Sequence, residues 1–472
     1  MKRNPVDIKR QRKLLKKWFF ALALPLLDVL CWVAIYYGIS AATGFYNIIT
    51  PQAVYIPILV LIICMALVGG YRSRSDFASL RYASEHLIAF LFGMPIAALA
   101  LYAVASFGPA ATSSRGIFVS SVILLAFATL LLRRILWFAT KSSRSLGKFL
   151  VIFDERLGPV FHRDYSASPQ HQGLRYVASQ RELRGKPVGG EGSPSAFVEA
   201  AHLLPYLDSE SAVGYEAIVL AAVPDKLPAG ILKRLSEINF EHLPVYTMEA
   251  FYQGYWDRFP LHLVNDSWPL ETEFVLVQHS VYSTIKMVLD FLVALLLLIA
   301  ASPLLILSAA AIALLDGFPI IYSQPRTGLH QRPFTLYKFR TMKVGSDKGD
   351  GYTREGDSRV SRLGTFLRKS RLDELPQLWN VLKGDMSMIG PRAEWVRLVA
   401  DYERQIPHYH YRHLVRPGIT GWAQVNYPYG ASLEDTLVKL SYDLYYIRNF
   451  SLRLDAEVIL KTLHVMSFAK GR

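Results

Sequence analysis

Residues 291–315 read Phe-Leu-Val-Ala-Leu-Leu-Leu-Leu-Ile-Ala-Ala-Ser-Pro-Leu-Leu-Ile-Leu-Ser-Ala-Ala-Ala-Ile-Ala-Leu-Leu, an uncharged run interrupted by Ser302 and Pro303. Proline lacks a backbone N–H, and its ring clashes with the carbonyl four residues earlier, here that of Ile299, so a helix must kink at this point. The Ser302 hydroxyl can satisfy a carbonyl that the break frees. The run is therefore either a kinked helix that crosses a bilayer or a re-entrant hairpin that enters and leaves on one face.

Four more apolar runs precede this one, and each approaches the roughly 20 residues that cross a hydrocarbon core about 30 Å thick. They cover Trp18–Ile39, Tyr55–Tyr71, Leu87–Phe107 and Ile117–Leu132. We predict four transmembrane helices within residues 1–146, in preference to a bundle of soluble core helices. Ser40-Ala41-Ala42 resembles a signal-peptide cleavage site, but the first apolar run is longer than a usual signal core, which favours an uncleaved anchor.

The distribution of Lys and Arg orients these helices. Lys and Arg are frequent in residues 1–17 and 133–148, and residues 72–81 contain three Arg, whereas the loops 40–54 and 108–116 contain only Arg115. The N-terminus and the chain after the fourth helix are therefore expected in the cytoplasm. A fifth full crossing would place the Arg-rich C-terminal part outside. A re-entrant helix over residues 284–317, broken at Ser302 and Pro303, avoids that conflict.

The charge and the cysteine content of the chain indicate which kinds of partner it can bind and which kinds of site it lacks. The formal net charge is +14, from 52 Lys and Arg against 38 Asp and Glu. Such a balance suits nucleic acid, anionic lipid or phosphorylated substrates. No zinc-finger, RNP or helix-turn-helix signature is found, so we expect no nucleic-acid partner. The two cysteines, Cys31 and Cys64, lie in apolar runs, which excludes a disulfide framework and a cysteine-based zinc site.

Residues 147–255 have the pattern of a parallel α/β domain. Lys148–Phe153, Tyr215–Leu220 and Leu243–Thr247 are predicted strands, and Ile231–Ile238 is a predicted helix. No G-x-G-x-x-G follows the first strand, so a dinucleotide site has no support. We interpret this region as a degenerate Rossmann-like cytoplasmic domain without catalytic residues. Residues 256–280 form the predicted linker to a catalytic domain over 281–472.

The sharpest local feature of that last domain is Arg368-Lys-Ser-Arg-Leu-Asp-Glu-Leu-Pro-Gln377, in which two adjacent carboxylates stand among cations. One interpretation is structural: Ser370 and Asp373 have the spacing of a helix capping box. The other is chemical: Asp373 and Glu374 are a nucleophile and a metal ligand. A carboxylate beside Mg²⁺ and phosphates suits an Arg-rich site with few acids.

From Thr284 to Phe468 the chain resembles the bacterial polyprenyl-phosphate phosphoglycosyl transferases, which form the bacterial sugar transferase family and include the hexose-1-phosphate transferases. Several ordered motifs carry the resemblance. They are Arg326-Thr-Gly328, Phe334-Thr-Leu-Tyr-Lys-Phe-Arg-Thr-Met342, Arg371-Leu-Asp-Glu-Leu-Pro-Gln-Leu-Trp-Asn380, Gly384-Asp-Met-Ser-Met-Ile-Gly-Pro-Arg392, Arg416-Pro-Gly-Ile-Thr-Gly-Trp-Ala-Gln-Val-Asn426 and Asp443-Leu-Tyr-Tyr446. Four preceding membrane helices and a degenerate nucleotide-fold domain are similar to the large members of the family.

The resemblance implies an enzyme that moves a hexose-1-phosphate from a UDP-sugar, UDP-glucose or UDP-galactose by analogy with large members, to undecaprenyl phosphate. UMP is released, and the lipid product initiates exopolysaccharide, capsule or O-antigen synthesis. Asp373 would form a covalent phospho-sugar intermediate beside Glu374, and both would hold Mg²⁺. The implied location is the bacterial inner membrane, with the catalytic domain on its cytoplasmic face.

The resemblance also implies a set of residues that bind substrate and phosphate: Lys338, Arg340, Arg368, Arg371, Arg392, Arg416, Thr420 and Gln424. For Arg368 and Arg371, solvation of a helix face is an equal alternative, and ordinary turn formation explains Gly418 and Gly421 as well. The family's Pro-Arg-Pro loop reads Pro391-Arg392-Ala393 here, so the stiffening that a second proline provides is in doubt.

Two alternative functions remain open. A membrane glycosyltransferase would release UDP, but Asp347, Asp350 and Asp357 do not form its D-x-D motif. A non-catalytic polysaccharide assembly protein would not need the Asp373-Glu374 pair.

The tail Leu454–Phe468 is either an amphipathic helix at the bilayer surface or a helix that packs onto the catalytic core. A homodimer is a further possibility.

Overall fold

The computed structural model describes residues 5–44, 51–71, 77–107, 115–141, 149–166, 174–178, 197–198, 215, 217–223, 227, 230–241, 243–264, 281–345, 357–427, 430 and 432–467. The chain divides into two compact units. The first comprises Met1–Ser143 with Ser451–Gly471, and the second comprises Arg144–Phe450 with Arg472. Residues 189–195, whose sequence Gly-Gly-Glu-Gly-Ser-Pro-Ser is typical of a loop, and most of the predicted linker, 265–280, lie outside the described residues.

The first unit contains the predicted N-terminal helices. They are α1 (Pro5–Ala42), α2 (Pro51–Leu67), α3 (Leu80–Phe107) and α4 (Arg115–Lys141). Within α1, α3 and α4 the stretches Leu22–Ala42, Leu80–Val104 and Arg115–Ala139 are long and apolar enough to cross a membrane. Helix α2, with 17 residues, is at the lower limit of that length. The prediction of four apolar N-terminal helices is confirmed.

The surface of these helices is apolar, as a lipid environment requires. Leu99 is 67% exposed, and further large apolar side chains, such as Leu26 and Phe127, also point outward. A soluble protein rarely exposes contiguous apolar surface of this extent, because its contact with water is unfavourable. The chain is therefore a membrane protein.

A polar cluster lies inside the same helices. Arg133 of α4 donates from Nη2 to Oδ2 of Asp28 in α1 at 2.6 Å, and its Nη1 lies 2.9 Å from Nδ1 of His86 in α3. The Tyr71 hydroxyl donates to the same Asp28 oxygen at 2.7 Å. The hydropathy pattern marks Asp28 only as an exception and Arg133 only as a flanking charge. The structure buries both and pairs them.

The C-terminal helix, Leu452–Ser467, belongs to the first unit and packs on α3. Leu454 and Val458 are buried, and Arg453 Nη1 donates to Glu85 Oε1 at 2.9 Å. The tail is therefore helical, as predicted. Its buried face contacts the membrane helix α3, an arrangement that neither alternative specified.

The second unit begins with a five-stranded parallel sheet. The strands are β1 (Phe149–Phe153), β2 (Leu174–Ala178), β3 (Phe197–Val198), β4 (Ala217–Ala221) and β5 (Val245–Thr247), in the order β3-β2-β1-β4-β5. Helix α5 (Leu157–Ser166) follows β1, and α6 (Ile231–Glu241) precedes β5. Strands β1 and β4 are buried along their whole length, which explains their continuous apolar sequence. The three predicted strands and the predicted helix are confirmed.

Asp154 occupies the turn where a parallel α/β sheet would bind a phosphate. Its Oδ1 accepts from the backbone N–H groups of Arg156 and Leu157 at 2.9 and 2.7 Å, and its Oδ2 accepts from that of Val223 at 2.8 Å. These N–H groups at the start of α5 and the end of β4 are those that a bound anion would use. The protein's own carboxylate fills the place, which agrees with the absence of a glycine-rich phosphate loop.

The apolar run around Pro303 forms two helices, α8 (Val281–Ala300) and α9 (Ser302–Leu315), which meet at Ala301. Ser302 Oγ donates to the Ile299 carbonyl at 2.8 Å, so the predicted role of this hydroxyl is confirmed. Helix α7 (Met248–Phe251) and the π-helical turn Tyr252–Trp256 precede this region in the chain.

Each helix of the broken run packs into its own small apolar cluster, and both clusters include a residue of strand β7, Pro333–Phe339. Ala294 of α8 packs in one apolar cluster with Leu336, and Ile312 of α9 packs in another with Phe339. A straight helix would separate Ala294 from Ile312 by about 27 Å. Leu336 and Phe339 are three residues apart on one strand, a distance of about 10 Å. The break at Ala301 therefore bends the pair sharply.

The remaining elements build the core beneath these helices. They are β6 (Ile321–Thr327), β7 (Pro333–Phe339), α10 (Arg362–Lys369), α11 (Gln377–Leu382), β8 (Ser387–Ile389), α12 (Val396–Gln405), β9 (Gly418–Thr420), α13 (Trp422–Asn426) and α14 (Leu433–Arg448). Strands β6 and β7 form an antiparallel hairpin, and β8 pairs in parallel with β9. Short 3-10 turns lie at Leu261–Leu263, Leu329–Gln331, Leu372–Glu374 and Tyr409–Leu414.

Candidate active site

The two adjacent carboxylates lie on a single 3-10 turn between α10 and α11. Arg371 adopts a left-handed conformation, with φ +60°, and so ends the preceding helix. The capping-box interpretation is wrong, because Ser370 is the C-cap of α10 and Arg371, not Ser370, precedes the turn Leu372–Glu374. Ser370 Oγ donates backwards to the Phe366 carbonyl at 2.8 Å. The 3-10 turn Leu372–Glu374 therefore holds both carboxylates at the edge of the core.

Glu374 is neutralised by a lysine from the neighbouring strand. Lys338 Nζ of β7 donates to Glu374 Oε1 at 3.1 Å, and Arg371 Nη1 lies 3.8 Å from the same oxygen. Burial by itself would raise the pKa of Glu374. The charges of Lys338, Arg392 and Arg371 outweigh burial and lower that pKa to about 2. Glu374 is therefore ionised at neutral pH and bound to Lys338.

Asp373 has a different environment. It is only 8% exposed, and among the described residues none forms a hydrogen bond or ion pair with its carboxylate. Burial and the negative charge of Glu374 raise its pKa to about 6, although Lys338, Arg368 and Arg371 act in the opposite direction. The carboxylate is thus ionised near neutral pH and free to react.

Arg368 and Arg371 supply positive charge to this turn from different positions. Arg368 Nε donates to Thr341 Oγ1 at 2.9 Å, which fixes its side chain beside the end of β7. Arg371 is exposed, at the point where the chain leaves α10. Both charges act on Asp373. The phosphate contact predicted for both residues stays a prediction.

The pairing of β8 with β9 brings two predicted loops together. The Gly390 N–H donates to the Thr420 carbonyl at 2.9 Å, and the Gly418 N–H donates to the Pro391 carbonyl at 2.9 Å. A Cβ on Gly418 would lie 2.1 Å from the Gly390 nitrogen, so only glycine permits this approach. Arg392 follows directly, and its charge acts on both Glu374 and Lys338.

The Pro391-Arg392-Ala393 loop is fixed without its second proline. Arg326 Nη1 donates to the Ala393 carbonyl at 3.0 Å, and Arg412 Nη2 donates to the Arg392 carbonyl at 3.1 Å. Arg412 is itself held by a buried ion pair with Asp443, with Nη2 and Oδ2 at 2.8 Å. Two guanidinium groups therefore restrain a backbone that proline would otherwise stiffen.

Arg416, Thr420 and Gln424 lie along and beyond β9, next to the Arg392 loop. Gln424 Nε2 donates to the Ile419 carbonyl at 3.3 Å. Its Oε1 is buried and has no hydrogen-bond partner within the described part of the chain. An unsatisfied buried acceptor costs free energy, so a donor from a ligand would be favourable here. Arg416 and Thr420 are half-buried.

Arg340 binds backbone rather than acidic side chains. Its Nη2 donates to the carbonyls of Asp316 and Gly317 at 2.6 and 2.7 Å, where the chain leaves α9. The guanidinium thus ties the end of β7 to the base of the bent helix pair. Its predicted phosphate contact stays a prediction.

Sequence reasoning missed two supports of the site. Asn380, fully buried, accepts from the Tyr337 N–H at 3.1 Å and donates to the Thr335 carbonyl at 2.7 Å, which holds β7 against α11. Arg412 belongs to none of the quoted motifs, so no local pattern reveals its contact with Asp443. Asn380 does end a quoted motif, and an amide within an apolar stretch is a usable sign of a buried polar contact.

The acidic groups suit a metal ion only when a substrate supplies further ligands. Among the residues that the structure describes, no three His, Cys, Asp or Glu side chains are placed so that they could hold a metal ion together. Protein sites for Mg²⁺ often use one or two carboxylates together with substrate phosphates. Asp373, beside Glu374, offers such a set, so the residues fit a magnesium ion that arrives with a diphosphate.

Comparisons with known proteins agree with this geometry. Residues 281–469 match the family model described as bacterial sugar transferase. A UDP-N-acetylgalactosamine-undecaprenyl-phosphate N-acetylgalactosaminephosphotransferase of Aeromonas hydrophila is 40% identical over 256 residues, which cover 54% of this chain and 60% of that protein. A UDP-glucose:undecaprenyl-phosphate glucose-1-phosphate transferase of Xanthomonas campestris pv. campestris is 42% identical over 181 residues, which cover 38% of this chain and 37% of that protein.

A third relative is matched along almost its whole length. The exopolysaccharide production protein PSS of Rhizobium leguminosarum bv. phaseoli is 35% identical over 195 residues, which cover 40% of this chain and 97% of that protein. By contrast, the alignments span three fifths or less of the Aeromonas and Xanthomonas proteins. With its family-model match and this near-complete alignment, the chain belongs to the bacterial sugar transferase family.

Proposed function

We propose that the protein transfers a hexose-1-phosphate from a UDP-sugar to undecaprenyl phosphate and releases UMP. The observation that carries the proposal is the environment of Asp373, a buried carboxylate without a hydrogen-bond partner among the described residues, set among cations. Its neighbour Glu374 is held by Lys338, so the two carboxylates have separate roles. The named activities of the relatives support the same reaction class.

In the first step an Asp373 carboxylate oxygen attacks the β-phosphorus of the UDP-sugar. A P–O bond to the aspartate forms, and the bond between the β-phosphorus and the bridging oxygen breaks, so that UMP leaves with that oxygen. Arg368 and Arg371 offset the charge that develops on the phosphoryl oxygens. The covalent step divides one difficult displacement into two easier ones.

In the second step a phosphate oxygen of undecaprenyl phosphate attacks the phosphorus of the aspartyl adduct. The bond to Asp373 breaks, and its carboxylate is regenerated. Lys338 and Glu374 stay paired throughout and keep the turn in place. Asp373 and Glu374 would hold Mg²⁺, which when bound neutralises diphosphate charge and stabilises the leaving UMP.

We further propose that α8 and α9 form a re-entrant hairpin in the cytoplasmic leaflet of the bacterial inner membrane. The outward side chains of both helices are apolar, Leu296 and Ile306 among them, while Ala294 and Ile312 pack in two clusters that both include a residue of β7. Both ends of the bent pair would then lie at the cytoplasmic face, where the catalytic domain meets UDP-sugars. A homodimer stays a prediction.

The parallel sheet of residues 147–255 is proposed as a degenerate Rossmann-like domain. Its strand order is that of dinucleotide-binding sheets. The Asp154 carboxylate takes the N–H groups that a pyrophosphate would need. The domain is therefore proposed to bind no dinucleotide.

The sugar is the least determined part of the proposal. UDP-glucose and UDP-galactose are our predicted donors. The Aeromonas relative, whose match extends over the most residues of the three, is named for an N-acetylated sugar. A test must therefore include N-acetylated donors. The proposed product would initiate a surface polysaccharide, as the name of the Rhizobium relative suggests.

The test is to incubate the purified full-length protein with undecaprenyl phosphate, Mg²⁺ and a panel of UDP-sugars, and to identify the released nucleotide. We expect UMP with one or a few donors. Release of UDP would instead establish a simple glycosyltransferase. Absence of both with every donor, for a folded protein, would favour a non-catalytic assembly role.

The hairpin is tested by labelling of single cysteines with a membrane-impermeant maleimide in a variant that lacks Cys31 and Cys64. Val281→Cys, His330→Cys and Phe318→Cys should all be labelled only from the cytoplasmic side. Labelling of residue 330 from the outside would mean that the broken run crosses the membrane completely.

A further inference from the structure

The loop that carries Thr420 and Gln424 is bonded to Asp257, at the start of the segment that follows the α/β domain. Trp422, only 1% exposed, donates from its indole N–H to the Asp257 main-chain carbonyl at 2.7 Å. The two residues are 165 positions apart, and Trp422 is the first residue of α13, two residues after Thr420. The contact therefore connects the segment that follows a domain without catalytic residues to a loop of the proposed site.

Asp257 makes a second bond to the same region. Its Oδ1 accepts from the Tyr445 hydroxyl at 2.8 Å, and the Tyr445 ring stacks on that of Trp422 with centroids 5.9 Å apart. Asp257 has φ +49°, a left-handed conformation that few residues other than Gly, Asn and Asp adopt readily. One residue thus presents both its carbonyl and its carboxylate to two aromatic side chains.

The next residues extend this attachment. The Phe259 N–H donates to the Ser441 carbonyl of α14 at 2.9 Å. Arg258 between them stacks over the rings of Tyr252 and Trp256, at 5.1 and 4.7 Å from their centroids. The turn is therefore held by Arg258 within its own segment and by the Phe259 N–H to helix α14.

We propose that Asp257 is a positioning residue that sets the loop Gly418–Gln424 for binding of the UDP-sugar. The inference rests on the proposed function, because it assigns a role within the same site. Asp257 itself contacts no substrate and acts through Trp422 and Tyr445.

Few residues separate Trp422, the contact of Asp257, from the proposed site, and the backbone between them is closely packed. Trp422 follows Gly421 directly, and a Cβ on Gly421 would lie 2.1 Å from the Gly390 carbonyl oxygen. The loop is thus clamped between Asp257 on one side and the Gly390–Arg392 segment on the other. If the indole bond is lost, Thr420 and Gln424 can move relative to Arg392 and the binding geometry loosens.

The chain offers a matched control for this contact. Arg448 Nη1 donates to Glu249 Oε1 at 2.5 Å, so this ion pair also joins the α/β domain to α14. Within the described residues, neither side chain forms a hydrogen bond or ion pair with β9 or α13. Glu249→Gln weakens the attachment between the same two parts of the chain and leaves the Trp422 bond in place.

The experiment compares Trp422→Phe, Tyr445→Phe, Asp257→Ala, Asp257→Asn and Glu249→Gln in the full-length protein. UMP release is measured at varied UDP-sugar concentration, and hydrogen–deuterium exchange is followed in the peptide that covers residues 416–426. For Trp422→Phe we expect a KM increase of about three- to tenfold, the effect of one part-buried hydrogen bond, with kcat within about twofold. Loop exchange should rise in parallel.

Asp257→Ala removes the carboxylate that Tyr445 binds and keeps the main-chain carbonyl that Trp422 binds, so it should behave like Tyr445→Phe. Both variants should show a smaller change than Trp422→Phe, in the same direction. Asp257→Asn retains an oxygen acceptor and tolerates the left-handed conformation, so it should restore most of the wild-type KM. Glu249→Gln should leave both KM and loop exchange unchanged.

Equal effects of Glu249→Gln and Trp422→Phe would overturn the proposal. Loss of any contact between this part of the chain and the catalytic domain would then be enough to change KM. An unchanged KM and unchanged loop exchange in Trp422→Phe would also overturn it. Failure of the proposed function is a separate result: the wild-type protein would release no UMP. The exchange measurement, with and without UDP-sugar, would in that case still decide whether Asp257 orders the loop.

Discussion

Lys338 Nζ lies 3.1 Å from Glu374 Oε1, and the two side chains are 18% and 14% exposed. This ion pair gives two adjacent carboxylates opposite properties. The lysine charge keeps the pKa of Glu374 low, whereas the pKa of Asp373 is raised by burial and by the negative charge of Glu374. One carboxylate is fixed as a permanent anion, and the other is left unpaired for chemistry.

The ion pair should stabilise the fold in a way that a double-mutant cycle reveals. Lys338→Met leaves the Glu374 carboxylate buried without its partner, so unfolding free energy should fall by about 3 kcal/mol. Lys338→Met with Glu374→Gln removes both charges and should recover at least about 1 kcal/mol of that loss. Denaturant unfolding in detergent measures both. Strictly additive losses would show that the two side chains do not interact.

Removal of the Asp373 carboxylate should abolish turnover without unfolding the protein. We expect Asp373→Asn to lower UMP release by a factor on the order of 10³ or more, as loss of a nucleophile does in other covalent enzymes. Because the raised pKa means that ionised Asp373 is unfavourable in the fold, the melting temperature above pH 6 should not decrease.

Asp401→Asn is the matched control for that variant, since Asp401 is an exposed aspartate of α12. It should leave UMP release unchanged. Normal turnover in Asp373→Asn would exclude the aspartate as nucleophile.

The pH dependence should follow the titration of Asp373. Only the carboxylate attacks phosphorus, so the first half-reaction should be slow below pH 6 and reach a plateau above it. Single-turnover UMP release without lipid is the suitable measurement, because undecaprenyl phosphate titrates in the same range.

Glu374→Gln should displace this profile towards lower pH. The variant removes a negative neighbour and leaves the Lys338 charge uncompensated, and both changes lower the pKa of Asp373. A profile displaced towards higher pH would contradict this assignment of charges.

Much of this architecture follows from local sequence. Apolar runs identify the membrane helices, and Pro303 with Ser302 locates the break to within two residues of Ala301. The Asp373-Glu374 motif indicates the candidate site because two adjacent acids among arginines are conspicuous in the chain.

The contact partners of these residues could not be predicted from local sequence, because they come from distant parts of the chain. Lys338 and Glu374 are 36 positions apart, and Asp28 and Arg133 are 105 positions apart. Arg340 binds main-chain carbonyls, which every residue has, so no sequence pattern marks its contact. Helix periodicity and motifs report on neighbours along the chain, whereas these pairs depend on tertiary packing.

Arg340 should contribute more to the helix pair than to substrate affinity. Arg340→Met removes the donor to the Asp316 and Gly317 carbonyls, and hydrogen bonds of this charged kind contribute about 1.5–3 kcal/mol. We expect a lower melting temperature with the KM for UDP-sugar within about twofold. Arg332→Met, at an exposed arginine in the turn between β6 and β7, controls for loss of charge. A large KM increase without destabilisation would support the phosphate contact instead.

The buried cluster of the membrane helices gives the last prediction. Asp28→Leu leaves Arg133 as an uncompensated charge within an apolar bundle, and breaking a buried ion pair of this kind costs about 3–5 kcal/mol. Asp28→Leu with Arg133→Leu removes both charges and should regain most of the lost thermal stability. Arg115→Leu, at the exposed start of α4, should have little effect. If Asp28→Leu alone is as stable as the wild-type protein in detergent and in vesicles, the ion pair does not hold α1 to α4.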